Sequence, residues 1–312
     1  FTTTMYWWFG HGVTISGGGA DYSHGGGIQN SGTLSISNSV ITGNTAAWNH
    51  GGGNAGHGGG MLNTGTLFIS NSTISNNSDV VSGGGVYSAG SITVNNSTFT
   101  GNETQGGGGA LYHVGVTAAV INNSTFSNNR AWYIGANTGG ILNDGGTLTI
   151  TNSTITGNRI EGGWWSSNAG LGNNTGTTSL SNTIVANQGA GTDCYGAIVS
   201  NGHNLESGTS CGFAGTGDLQ NSNSLLNALA DNGGSTKNIA PLSGSPAIDA
   251  GDDAVCAAAP VNGVDQRGYA RPVGAHCDIG AFEGVAVYTV TYDGNGATEG
   301  SVPIDSNIYA QY

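Results

Sequence analysis

An all-β fold, a right-handed parallel β-helix with a disulfide-containing C-terminal cap region and a short β tail, is what this chain predicts. Three observations carry it: a repeat down the first 190 residues, two-residue alternation inside each copy, and no stretch patterned as an amphipathic helix. The repeat reads Gly-Gly-Gly, an aliphatic residue, a polar corner, Leu-x-Ile, Asn-Ser-x-Ile and a second Asn. One copy runs from Gly25 through Ile28, Leu34, Ile36, Asn38 and Ile41 to Asn44. The next runs from Gly58 through Met61, Leu67, Ile69, Asn71 and Ile74 to Asn77. Later copies place the two Asn at 96 and 102, 123 and 129, 152 and 158; a last copy, read as one residue shorter, has Asn182 and Asn187. Periods of this size mark a stacked array in which each unit contacts its neighbours.

Within a copy, Leu34, Ile36 and Asn38 alternate with Ser35 and Ser37, so one side of a short strand is apolar and the other polar. A single coil cannot bury that apolar side, whereas coils stacked in register form a continuous column of aliphatic side chains. Parallel strands joined by connections of the usual hand give a right-handed helix. Asn38, Asn71, Asn96, Asn123 and Asn152 are expected to form a ladder, each amide bonding to its counterparts above and below. Four of them, at 71, 96, 123 and 152, also read as N-x-S/T acceptors, a reading secondary to the ladder. The Gly triplets fit turns with positive φ and close backbone approach.

Loops between copies carry Trp48, His50 and His57, then Trp132 and Tyr133, then Trp164 and Trp165. They are read as packing over the side of the solenoid, with contact to a glycan or another subunit as the competing account. Thr73, Thr98, Thr125, Thr154 and Thr183 form a Thr column.

The net charge of −13 is unevenly placed. Residues 1–192 hold Asp21, Asp79, Glu103, Asp144 and Glu161 against Arg130 and Arg159; the remaining acids come later. An acidic, Lys-poor chain lacks the basic footprint that nucleic acid or anionic membranes require. No run of apolar residues is long enough for a membrane-spanning helix. A glycosidase would need two carboxylates facing one groove, and the coil acids do not fall at matching positions. The chain is therefore expected not to be an enzyme, with a polysaccharide-binding or polysaccharide-degrading protein as the alternative. Phe1 opens the sequence without Met or a signal segment, which reads as a processed or partial chain.

Four cysteines leave three connectivities open; adjacency favours Cys194 with Cys211 and Cys256 with Cys277. Disulfides point outside the cytosol. Asp249, Asp252, Asp253, Asp265, Asp278 and Glu283 cluster with Arg267 and Arg271, read as a network tying the last turn to its cap, with calcium as the other ligand such acids suit and no further cofactor called for. Tyr6, Trp7 and Trp8 at one end, and Val287, Tyr288, Val290 and Tyr292 at the other, are candidate subunit contacts. The organisation expected is coils over 1–192, last coils and cap over 193–284, and a strand tail over 285–312.

The coils at 25–190 resemble the repeats of polymorphic outer membrane proteins. Residues 180–283 contain, in order, LSNTIVAN, TDC, NGHNLES, SC, NSLLNALADNGGSTKNIAPLSGSPAIDAGD, DQRGYARP and CDIGAFE. That series resembles the C-terminal portion of surface proteins with a "choice-of-anchor" Q domain, which implies secretion, a β-helix, both disulfides and a prokaryotic cell surface. VYTVTYDGNGATEGSVPIDSNIYAQY at 287–312 resembles the opening of an internalin-type B repeat. The function expected is a structural or adhesive surface protein that self-associates, head to tail through its tail strand, and that contacts glycans or other surface components.

Overall fold

The computed structural model describes residues 2–3, 12–21, 25–47, 56–132, 138–161, 168–189, 191–284, 287–288, 292–293, 295–296, 299–305 and 309–310. Tyr6, Trp7, Trp8, Trp48, His50, Tyr133, Trp164, Trp165 and Val290 lie outside the described residues. The chain is a parallel β-solenoid built from four stacks of short strands. The first holds Ile28–Asn30, Met61–Asn63, Val86–Ser88 and Leu111–Val114. A second holds Thr33–Ser37, Thr66–Ser70, Ser91–Asn95 and Ala118–Asn122. Two longer strands, Ile141–Thr151 and Asn168–Ser181, run through the corner and join these stacks. The third stack runs from Thr14–Ser16 through Val40–Thr42, Thr73–Ser75, Thr98–Thr100, Thr125–Ser127, Thr154–Thr156 and Ile184–Ala186 to Leu205–Glu206. The fourth runs from Gly19–Asp21 to Arg159–Ile160.

The core follows from register. Leu34, Leu67, Ile92, Ala119 and Leu148 align coil over coil, as do Ile36, Ile69, Val94, Ile121 and Ile150. From the third stack, Ile41, Ile74, Phe99, Phe126 and Ile155 meet them, and the two Phe rings stack at 4.6 Å. All are buried, and each aliphatic side chain removed from water contributes about 1.5–3 kcal/mol. Gly triplets turn the chain between stacks. Gly25, Gly58, Gly83 and Gly108 sit at φ 67–79°. A Cβ on the following glycine would lie 2.3 Å from a backbone oxygen of the adjoining segment, as at Gly26 and Gly59; no side chain fits there.

The expected amide ladder exists, but on the other Asn of the repeat. Asn38, Asn71, Asn96, Asn123 and Asn152 hold φ of 45–50° at the corner between the second and third stacks. Asn tolerates that left-handed conformation better than most side chains, and the corner breaks the period-2 alternation that pointed them inward. The ladder is Asn44, Asn77, Asn102, Asn129 and Asn158, all fully buried. Asn44 Nδ2 donates to Asn77 Oδ1 at 3.0 Å, and the next three links measure 2.9 Å each. Each Oδ1 of the four later Asn also accepts the backbone N–H of the preceding ladder residue, and each Nδ2 donates back to a carbonyl such as Ile41 O. Gln188 Oε1 receives the last link from Asn158 at 3.3 Å. The final copy is therefore full length: Gln188 holds the ladder position, and Asn187, at φ 54°, holds the corner taken by Gly157.

A second inward polar column combines Asn30, Asn63, Ser88, His113, Asn143 and Asn173. Asn30 Nδ2 bonds Asn63 Oδ1 at 2.7 Å, and burial pushes the His113 imidazole toward its neutral form. Ser39, Ser72, Ser97, Ser124 and Ser153 form a third column, each hydroxyl but the first accepting the backbone N–H of the preceding Ser. Thr183 belongs to this Ser column rather than to the Thr column, since Ile184 is the residue in register with Thr154.

At the C-terminal end, Cys194 aligns over Leu171, and Cys194, Cys211 and Phe213 join the main core. The Cys194–Cys211 disulfide and Phe213 cover the last coil. Within 193–284, expected to hold the last coils and the cap, residues 226–284 fold back as a strap along the side of the third stack. The physical reason is chemical: the corner carbonyls, amides and Thr hydroxyls of successive coils offer partners for irregular backbone.

Replacing Asn77 by Ala should cost about 3 kcal/mol, because Asn44 Nδ2 loses an acceptor in a buried site. Asn38→Gly, at an exposed corner with positive φ, should stay within about 0.5 kcal/mol of wild type. Urea unfolding of both variants measures the difference; equal costs would place the ladder elsewhere.

Candidate functional site

Three surfaces gather chemistry-bearing side chains, and the strap is the most developed. Thr236 Oγ1 donates to Asn96 O at 3.2 Å, while Thr98 Oγ1 donates to Lys237 O. Asn123 Nδ2 donates to Val264 O at 3.0 Å, and Thr125 Oγ1 to Gln266 Oε1 at 2.6 Å. Gln266 Nε2 in turn reaches Thr98 and Thr236 hydroxyls, both at 2.9 Å. Ala281 N donates to Thr154 Oγ1 at 3.1 Å, and Asn182 exchanges two hydrogen bonds with the Asp252 backbone at 2.9 and 3.1 Å. Ile184, Leu205, Ala247 and Ile279 make a small apolar cluster beneath it. Thr98, Thr125 and Thr154 are thereby buried, as are the amides of Asn123 and Asn152, which removes two of the N-x-S/T acceptors from solvent.

The acidic residues singled out in the sequence hold the strap's own turns. Asp265 is buried with Arg267, whose Nε donates to Asp265 Oδ2 at 2.7 Å. Asp265 also accepts the backbone N–H of Arg267, Tyr269 and Glu283. The Arg267 guanidinium lies 3.5 Å from the Phe282 ring centroid and 4.5 Å from that of Tyr269. Asp278 accepts from Asp249 N and Gly284 N, at 2.8 and 2.6 Å. Asp249 Oδ1 accepts from Ala275 N and His276 N. Asp252 caps the short helix Asp253–Ala257, and Asp253 pairs with exposed His276 at 2.9 Å and accepts Cys277 N. The Cys256–Cys277 disulfide, fully buried, ties that helix to the last strap segment.

Most of these carboxylate oxygens accept N–H donors or a guanidinium, which leaves no convergent set of free oxygens for calcium among the described residues. Among the described residues no three His, Cys, Asp or Glu side chains gather as a metal site. Burial, then the nearby Asp278 charge, raises the Glu283 carboxyl to about 7, and burial, with the neighbouring Arg267 charge, lowers the pKa of Arg271, whose guanidinium donates to Gly280 O. Glu283 and Arg271, both in the cluster read from the sequence, are partners in this network, 3.7 Å apart.

The second surface is an outward aromatic column on the first stack. His57 and Tyr87 centroids are 4.3 Å apart, and Tyr87 stacks on Tyr112 at 5.3 Å. Tyr112 Oη donates to Asp144 Oδ2 at 2.5 Å, and burial together with that carboxylate pushes the phenol's pKa up. Tyr87 and Tyr112 lie face to face along the solenoid, so their shared faces are closed to a sugar, and the His57 ring is tilted 39° to Tyr87. Trp132 is described and exposed.

The third surface is an ion-pair row on the fourth stack. Arg130 bridges Glu103 and Glu161, and Arg159 pairs with Glu161. Such exposed pairs contribute about 0–1 kcal/mol each. Their strands are neighbours in register, which puts Glu103 beside Arg130 and Arg130 beside Arg159. On the inner side of the same stack, Asp79 is buried, accepts Gly58 N and Ser82 N, and is raised by burial to about 7. In the tail, Val287 and Tyr288 pair antiparallel with Ala310 and Tyr309, so the tail strand expected to reach a neighbour is paired within its own chain. Tyr292 is exposed.

No family model, no curated protein and no solved structure matches this chain.

The folded Asp79 carboxyl, near 7, lies above its unfolded value of 3.8. The native state keeps a proton that the unfolded chain has lost, so stability falls as pH rises from about 4 to 7. Thermal midpoints should therefore drop over that range, and Asp79→Asn should flatten the drop; an unchanged pH profile in the variant would assign it to other groups. Gln266→Ala should destabilise by about 2 kcal/mol through lost buried hydrogen bonds, with amide exchange accelerating in 226–284 before the coils.

Proposed function

We propose that this protein is a non-catalytic structural or adhesive solenoid of an extracellular surface, with self-association as its mode of use. One observation carries the reading: the side chains that commonly do chemistry on β-solenoids are here committed to holding the rod. Glu103 and Glu161 are tied to Arg130 and Arg159, Asp79 is inside, and Asp144 holds Tyr112. A hydrolase would need two carboxylates free to face one groove, and elimination would need a free base. The two disulfides fit an oxidising, extracellular environment. No helix among the described residues is long and apolar enough to cross a membrane.

Self-association finds support in the tail, where Tyr292, Val302 and Ile304 are exposed, Ile304 by 92%. Exposed apolar side chains on an otherwise acidic segment suit contact with another copy. A contact that does not close on itself would extend into a head-to-tail filament.

Electron microscopy of the secreted protein, beside reducing-end and unsaturated-product assays on a polysaccharide panel, tests this reading. Rods or fibres without turnover are the expected result. Sugar release that disappears in Asp144→Asn would instead make the protein a polysaccharide-degrading enzyme.

A further inference from the structure

The strap shows what the corner of the second and third stacks recognises. In each covered coil the strap bonds the left-handed corner Asn, the residue two positions on, or both: Thr236 Oγ1 donates to Asn96 O and Thr98 Oγ1 to Lys237 O, Asn123 Nδ2 donates to Val264 O and Thr125 Oγ1 to Gln266 Oε1, Ala281 N donates to Thr154 Oγ1, and Asp252 N donates to Asn182 Oδ1. The strap ends at the coil of Asn96. Two more coils present the same two positions without it, Asn71 with Thr73 and Asn38 with Val40 in place of Thr. Asn38 is exposed, and Asn71, Thr73 and Val40 are half-buried, in contrast to buried Thr98, Thr125 and Thr154.

The corner Asn is needed for its φ of 49° whether or not anything docks, so recurrence of Asn alone carries nothing. What distinguishes these coils is continuity with an interface already formed and the half-buried apolar side chain of Val40, which stands where the next coils carry Thr. They also lack charge: residues 38–42 and 71–75 contain no acid or base. An acidic segment meets no repulsion there.

The tail is such a segment. Asp293, Glu299 and Asp305 stand in it without Lys or Arg. Tyr292, Val302 and Ile304 are exposed on their own chain, 46%, 45% and 92%, so they do not cover their own solenoid. We propose that residues 38–42 and 71–75 are the docking surface for the tail of a second copy, continuing along the solenoid the side interface that the strap makes within one chain. The strap fixes the chemistry of that contact: polar groups of the incoming segment bond Asn71, Thr73 and Asn38, while Val302 and Ile304 lie against Val40. This rests on the self-association reading and gives it an acceptor site.

Sedimentation velocity on the full chain over a concentration series tests the site. Wild type should associate, and Val40→Arg and Thr73→Arg should each weaken association about ten-fold or more, as should Ile304→Asp in the tail. Phe68→Arg, on an exposed position of the second stack, should leave it unchanged. Amide exchange read on wild type alone should slow at 40–42 and 73–75 as concentration rises, which does not depend on any variant folding. Association that persists in Val40→Arg and Thr73→Arg, with no slowing at those amides, overturns the site while leaving self-association standing. A wild-type chain that remains monomeric at every concentration overturns both.

Discussion

Amides turned into a solenoid with no water beside them must be satisfied by the coils above and below, and much of this structure depends on that constraint. An isolated buried amide costs about 1–3 kcal/mol. In the Asn44-to-Asn158 column each link is repeated one coil on, so no inner member lacks a partner on either side. That requirement fixes register: a coil shifted by one residue would break the ladder, the Ser column and the aliphatic columns together. It also fixes where the corners fall, since a left-handed residue, Gly43, Asn76, Gly101, Asn128 or Gly157, immediately precedes each ladder Asn.

The ends and sides of the rod are handled by different means. The core's last layer is covered by Phe213 and the Cys194–Cys211 disulfide. The side is covered by the strap, which is held less by apolar burial than by hydrogen bonds to hydroxyls and carbonyls spaced by the coils. Gln266 joins coils through Thr98 and Thr125, so the strap acts as a brace across coils rather than a lid on one of them. Its own shape depends on buried Asp265, Arg267, Asp278 and Glu283. A buried network of that kind is costly when partly satisfied and specifying when complete.

On the coils, Glu103 and Glu161 are paired with Arg, Asp79 is inward and Asp144 is hydrogen-bonded to Tyr112. The coils differ mainly in whether the strap reaches them. That difference, between otherwise equivalent coils, gives the molecule an axial asymmetry that its repeated sequence does not announce.

The sequence by itself determined the solenoid, its strands, the aliphatic columns, the Gly turns and both cysteine pairings, because these are set by spacing within a repeat and by adjacency in the chain. It misplaced the amide ladder by six residues. Period-2 alternation points Asn38 inward, but a left-handed corner, a backbone property, turns its side chain out and hands the ladder to Asn44. The same rule hid the role of Gln188. Only the tertiary structure decided that 226–284 lies along the side rather than over the end. Its contacts join residues about 140 positions apart, such as Thr125 with Gln266, and no local pattern records a partner that distant.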